Sequence, residues 1–74
     1  MPSLKDKVLE VVVREMGMMG KFIVKKQCME HNIDMENIAP SDLPILADAL
    51  AKVMKTFGGE EKAQKLKDEI LALK

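Results

Sequence analysis

Apolar side chains recur along this chain every three or four residues, the spacing of helices that bury one face. The pattern is clearest in the second half. Leu43, Leu46, Ala47, Leu50, Val53, Met54 and Phe57 fall on one stripe, and Ala63, Leu66, Ile70 and Leu73 on another. Gly58-Gly59 separates them, and Glu60 and Glu61 follow, where negative charge suits the positive end of a new helix. Ser41 is the expected cap of the earlier helix, with Asp42 in its first turn. Pro44 then sits early enough that its missing N–H has no intrahelical acceptor to lose. These signals predict helices over 42–57 and 60–73. Ile45 and Ala49 lie off the stripe, toward a second neighbour.

The first half is less regular. Leu4, Val8, Val11 and Val12 share a helical face that Leu9 and Val13 widen, and Ser3-Leu4-Lys5-Asp6 matches a capping box. A helix over 3–16 is expected. The β-branched run Val11-Val12-Val13 also has strand propensity, so Val8 to Val13 stays open between helix and strand. Gly17 and Gly20 then interrupt the pattern. A second helix, 21–32, has apolar residues on two faces, with Phe22, Met29 and Ile33 on one and Val24 and Cys28 on the other. Such a helix is expected to be sandwiched between neighbours. Ile33 to Pro40 reads as a connector, with Asp34 capping a short turn and Ile33, Ile38 and Met35 tucked inward.

Short connections between periodic segments imply an all-α fold, a small four-helix antiparallel bundle forming a single domain over 1–74. Hydrophobic residues make up 47% of the chain, a folding composition. A core this small supplies only about 3–5 kcal/mol, and small folds usually add disulfides, metals, regular helix packing or self-association. Cys28 is the only cysteine, so no disulfide forms within the chain. That leaves helix packing and self-association, and it fits a reducing compartment.

Charge and aromatic content narrow the function. The 12 basic and 12 acidic residues are split evenly about Asn37, leaving no basic arm to attract nucleic acid or an anionic membrane at long range. No apolar run approaches the roughly 18 residues of a membrane helix. Charge begins by Lys5, which is unlike a signal peptide, so a cytoplasmic protein is expected. Phe22 and Phe57 are the only aromatic residues, too few for stacking on bases or sugars.

Chemistry-bearing residues are sparse. Cys28 and His31, three apart, share a helical face, but zinc needs three or four ligands and no further Cys or His exists within the chain. An interchain site is the one arrangement that would double the set. No phosphate loop, serine elbow or H-E-x-x-H stretch is present. Glu60-Glu61 and Asp68-Glu69 read as solvated surface, and so small a bundle is expected to lack a substrate pocket. The expectation is a protein that is not an enzyme, with no cofactor and no metal.

The stretch Met16-Gly17-Met18-Met19-Gly20-Lys21-Phe22-Ile23 resembles the I-G-x-x-G-x-x-I segment of KH nucleic-acid-binding domains, and Lys25 and Lys26 extend the likeness. It covers about a dozen of the 74 residues. The resemblance implies a G-x-x-G loop between two helices that clamps a nucleic-acid backbone, with Gly17, Gly20, Lys21, Lys25 and Lys26 at the clamp. Met18 and Met19 depart from the basic or polar residues usual at the loop's centre. A DNA-binding helix-turn-helix is disfavoured, because the third helix opens on Asp42 and carries no basic charge before Lys52.

Met16, Met18 and Met19 cluster beside Phe22. Methionine is flexible and polarizable, and adaptable binding surfaces are rich in it. Leu9, Val13, Ile45 and Leu71 add apolar positions outside the main stripes. A small interaction domain is therefore expected, forming a homodimer or docking to a protein partner through Met16, Met18, Met19 and Phe22. The alternative is a small nucleic-acid binder that uses the G-x-x-G turn and the lysines after it.

Overall fold

The computed structural model describes residues 3–73. Met1, Pro2 and Lys74, part of the expected domain over 1–74, lie outside the described residues. The first helix, α1, spans Leu4–Met16. Ser3 Oγ accepts from the Asp6 N–H at 3.2 Å, and the Asp6 carboxylate accepts from the Ser3 N–H at 3.5 Å, which completes the expected capping box. The valine run is helical. Val8, Val11 and Val12 are buried at i, i+3 and i+4. Each full burial contributes about 1.5–3 kcal/mol, whereas valine's helix penalty relative to alanine is about half a kcal/mol, so packing decides the conformation.

Gly17 ends α1 with φ 76°, and its N–H donates to the Val13 carbonyl at 2.7 Å. Helix α2 begins at once and spans Met19–Glu30, two residues earlier at each end than the sequence suggests. Its first turn lies hard against α1. A Cβ built on Gly20 would stand 2.9 Å from Val12 Cγ1 and 3.0 Å from the Val12 carbonyl oxygen, so the two helices approach as closely as they do because position 20 has no side chain. Asn32 ends α2 in the left-handed region, φ 55°, a place glycine usually takes. The Ile33 N–H then donates to the Cys28 carbonyl at 2.8 Å, and Ile33 turns into the core.

Two single turns of 3₁₀ helix follow, Met35–Asn37 and Pro40–Asp42. Asp34 caps the first as expected, accepting from the Glu36 N–H at 3.0 Å and from Asn37 Nδ2 at 3.1 Å. Ser41 does not cap the next helix. It lies exposed within the second 3₁₀ turn, and the Asp42 carboxylate reaches back to accept from the Ala39 N–H at 2.9 Å.

Among the described residues there are three α-helices where four are expected. Residues 42–57 and 60–73 do not form separate elements. A single helical element, α3, spans Leu43–Leu71, and within it only Gly59 leaves the helical conformation, at φ 85° and ψ 176°. The bend is sharp. A straight helix of 29 residues would be about 43 Å long, whereas the longest dimension of the molecule is 29 Å. Lys67 Nζ meets Asp48 Oδ1 at 2.8 Å across the two arms, which places residues nineteen apart in sequence side by side. The buried side chains form a continuous cluster: Val8 and Val12 from α1, Val24 and Cys28 from α2, Leu43, Leu46 and Leu50 from one arm of α3, and Leu66 and Ile70 from the other. Among the described residues there is no strand, so the sheet that a KH domain requires is absent. No helix among them is long and apolar enough to cross a membrane.

Two apolar expectations fail on the long arm. Phe57 is 66% exposed and Val53 only half-buried, because the chain turns at Gly59 and no element lies over the Phe57 ring. Ala49 is buried off the main stripe as expected, while Ile45 stays exposed.

Candidate interaction surface

Helix α2 is apolar on two sides, but the core takes only one. At about 100° per residue, Gly20, Val24, Gln27 and Cys28 share the inner face, and all four are buried. Met18, Phe22, Lys25 and Met29 fall within a sector of about 60° on the opposite side. There Met18 is 85% exposed, Phe22 70% and Met29 71%, and Met19 beside them is 62% exposed. The expected sandwich does not form, since no neighbour covers this side.

Met16, grouped with Met18, Met19 and Phe22 by the sequence, points the other way and packs on the core. Met29 joins the exposed stripe in its place. Its spacing already put it on one face with Phe22, whereas Ile33, expected on that face too, is buried. Of the other surplus apolar residues, Leu9 and Leu71 pack against the core, while Val13 and Ile45 remain exposed.

Lys21, Lys25 and Lys26 are exposed, Lys25 within the outer sector of α2 and Lys21 and Lys26 about 40° beyond its two edges. Five ion pairs form among the described residues, and none uses these lysines. Glu30 is the only acidic residue of α2, and Glu15 is the nearest before it. The face is therefore both apolar and cationic, although the chain as a whole carries no net charge.

The two glycines of the turn differ. Gly17 is exposed, but Gly20 is buried against Val12, and its N–H donates to the Gly17 carbonyl at 3.0 Å. One side of a G-x-x-G clamp is thus already occupied by the fold.

Cys28 and His31 do not share an open site. Cys28 is 1% exposed, and burial, with a smaller contribution from the Asp42 charge, pushes its thiol up from the ordinary value. A thiol held protonated is a poor nucleophile and a poor ligand. His31 lies exposed past the end of α2, and no three metal-ligating side chains converge among the described residues.

An open groove of about 1160 Å³ runs between the arms of α3, more room than so small a bundle was expected to offer. Ala51 and Ala63 line it, along with paired charges: Lys67 with Asp48 at 2.8 Å and Lys55 with Glu60 at 3.1 Å. The hydrogen bond between Lys67 and Asp48 holds the carboxyl below and the ammonium above their ordinary values, so both stay charged near neutrality. No Ser, Cys or His lines this groove. A smaller cleft of about 520 Å³ lies between the end of α2 and α3, with Gln27, His31, Ile45 and Val53 in its lining.

Comparison with known proteins finds no family model, no curated protein and no solved structure that matches the chain.

Proposed function

We propose that the protein is a non-enzymatic docking domain that works through the outer face of α2. One observation carries this reading. Met18, Met19, Phe22 and Met29 are exposed together on the side of α2 turned from the core, at an apolar cost that folding alone does not explain. Fully exposing large apolar side chains forgoes about 1.5–3 kcal/mol each, so a cluster of four points to burial against something else. Methionines suit such a surface because they adapt to a partner's shape, with Phe22 as a stiffer anchor. The scaffold behind the face works as an antiparallel four-helix arrangement, with each arm of α3 acting as one helix. A reducing, cytoplasmic setting belongs to the same reading and is supported by the single buried Cys28.

Photo-cross-linking in cells tests it. A benzophenone side chain at position 22 is expected to cross-link to a protein, either another species or a second copy, in much higher yield than the same group at position 61 on α3. Equal yields from the two positions sink the reading.

Lys21, Lys25 and Lys26, exposed and without an ion-pair partner among the described residues, favour a second reading, a nucleic-acid binder. Phosphate binding by three lysines weakens steeply with added salt, whereas apolar docking does not. A titration with single-stranded oligonucleotide at two salt concentrations separates the two.

A further inference from the structure

We infer that the partner received by the outer face of α2 is an acidic amphipathic helix of another protein, an inference that rests on the docking reading. The face sets two conditions on whatever covers it. It must bury the apolar stripe of Met18, Phe22 and Met29, and it must neutralise Lys21, Lys25 and Lys26, which have no ion-pair partner among the described residues. Lys25 lies within the stripe, and Lys21 and Lys26 flank it. Their hydrocarbon stems can lie along an apolar surface while the ammonium groups meet carboxylates at its edges.

Two other occupants fail one of these conditions, and a third lacks its usual anchors. Two copies pairing through this face would bring lysines against lysines, with Glu30 the only acid on α2 to offset them. A nucleic acid would neutralise the lysines but would press phosphates and sugars onto methionine and phenylalanine. An anionic bilayer offers charge and an apolar interior, yet the chain has no Trp or Tyr, the side chains that settle at a membrane interface. A helix with a stripe of apolar residues flanked by Asp and Glu satisfies both conditions along the whole length of α2. It can pack at the ordinary helix–helix distance, because the face is convex and unobstructed.

The test is selection from a displayed library of amphipathic helices about as long as α2, used against the full chain. The apolar stripe of the library is fixed, and its flanking positions vary among Glu, Gln and Lys. Recovered helices are expected to carry Glu at the flanks. Their affinity should fall by roughly three- to a hundredfold for the Lys21→Gln/Lys25→Gln/Lys26→Gln variant, as expected for three rim ion pairs. It should fall further for Phe22→Ser. Both variants alter exposed residues only and should keep the wild-type circular dichroism. Recovered helices that need Phe22 but show no preference for Glu would leave the docking face standing and overturn the acidic partner. Failure to recover any helix sensitive to Phe22→Ser would overturn both. The acidic partner is also overturned if sedimentation equilibrium shows a dimer that Phe22→Ser abolishes. The same holds if phosphatidylserine vesicles or a single-stranded oligonucleotide bind more tightly than every recovered helix.

Discussion

Gly59 shows how much of the fold hangs on one residue. Its φ of 85° with ψ of 176° belongs to a region that essentially only glycine occupies. Space is not the constraint, since a Cβ there would meet nothing within 4 Å. Gly59→Ala should therefore destabilise the fold by about 1–3 kcal/mol through backbone strain alone, read as a lower denaturant midpoint. D-alanine at position 59 of a synthetic chain should restore stability, because its mirror-image preference suits positive φ. If the L- and D-alanine chains were equally stable, the bend would not depend on backbone strain. Asp34 carries a smaller effect of the same local kind. The hydrogen bond from Asn37 Nδ2, helped by the Glu36 N–H, holds its carboxyl below the ordinary 3.8. A group depressed in the folded state stabilises the fold above its unfolded pKa, and that contribution is lost as the pH falls through the lower folded value. Its carboxyl carbon, followed by NMR in acid, should titrate below 3.8, and Asn37→Ala should move the midpoint upward. An unmoved midpoint would remove Asn37 as the main cause.

At the scale of elements, the sequence was most legible where apolar spacing and capping agreed. Both stripes of α3 bury their centres, at Leu46, Leu50, Leu66 and Ile70, and the Ser3 capping box opens α1 as its residues indicate. Spacing alone could not say how far a neighbour reaches, so Phe57 looked buried while nothing lies over it. Nor could it say which side of a doubly apolar helix meets the core. That was decided by Gly20, whose missing side chain lets α1 close on the inner face and leaves Phe22 and Met29 outside. Val8 to Val13 could be assigned only once packing was known, because propensity and burial pulled in different directions. The count of helices missed by one because a two-glycine break read as an interruption, whereas one non-helical residue suffices to turn α3 back on itself. Of the candidate surface, nearness in sequence grouped Met16 with Met18, Met19 and Phe22, but only the latter three stand exposed, because Met16 falls on the part of α1 that packs on the core.

For the whole molecule, the arms of α3 act as the frame onto which α1 and α2 close. Four ion pairs mark this arrangement: Arg14–Glu69 and Lys65–Glu15 join α1 to the far arm, Lys67–Asp48 joins the arms, and Lys5–Glu36 ties α1 to the connector. Exposed pairs of this kind contribute at most about 1 kcal/mol each, so the core carries the stability. That core has few residues, and each matters in proportion. Leu66 is fully buried, and Leu66→Ala should cost about 2–5 kcal/mol. Against a total of about 3–5 kcal/mol for a core of this size, the variant should lose a large fraction of its stability, read by circular dichroism as a much lower denaturant midpoint. A cooperative, near-native melt would mean that stability comes from outside this cluster.

The uneven exposure of the methionines makes the protein's two sides chemically unequal. Met54 is 3% exposed, while Met18, Met19 and Met29 stand in solvent on the outer side of α2. Mild peroxide should convert those three to sulfoxides well before Met54, turning flexible apolar side chains polar where they are most accessible. Peptide mass spectrometry would read the order, and circular dichroism should stay native until Met54 reacts. The molecule would then record oxidant exposure on one helix face while its interior stays unoxidised, and methionine sulfoxide reductase would erase the record.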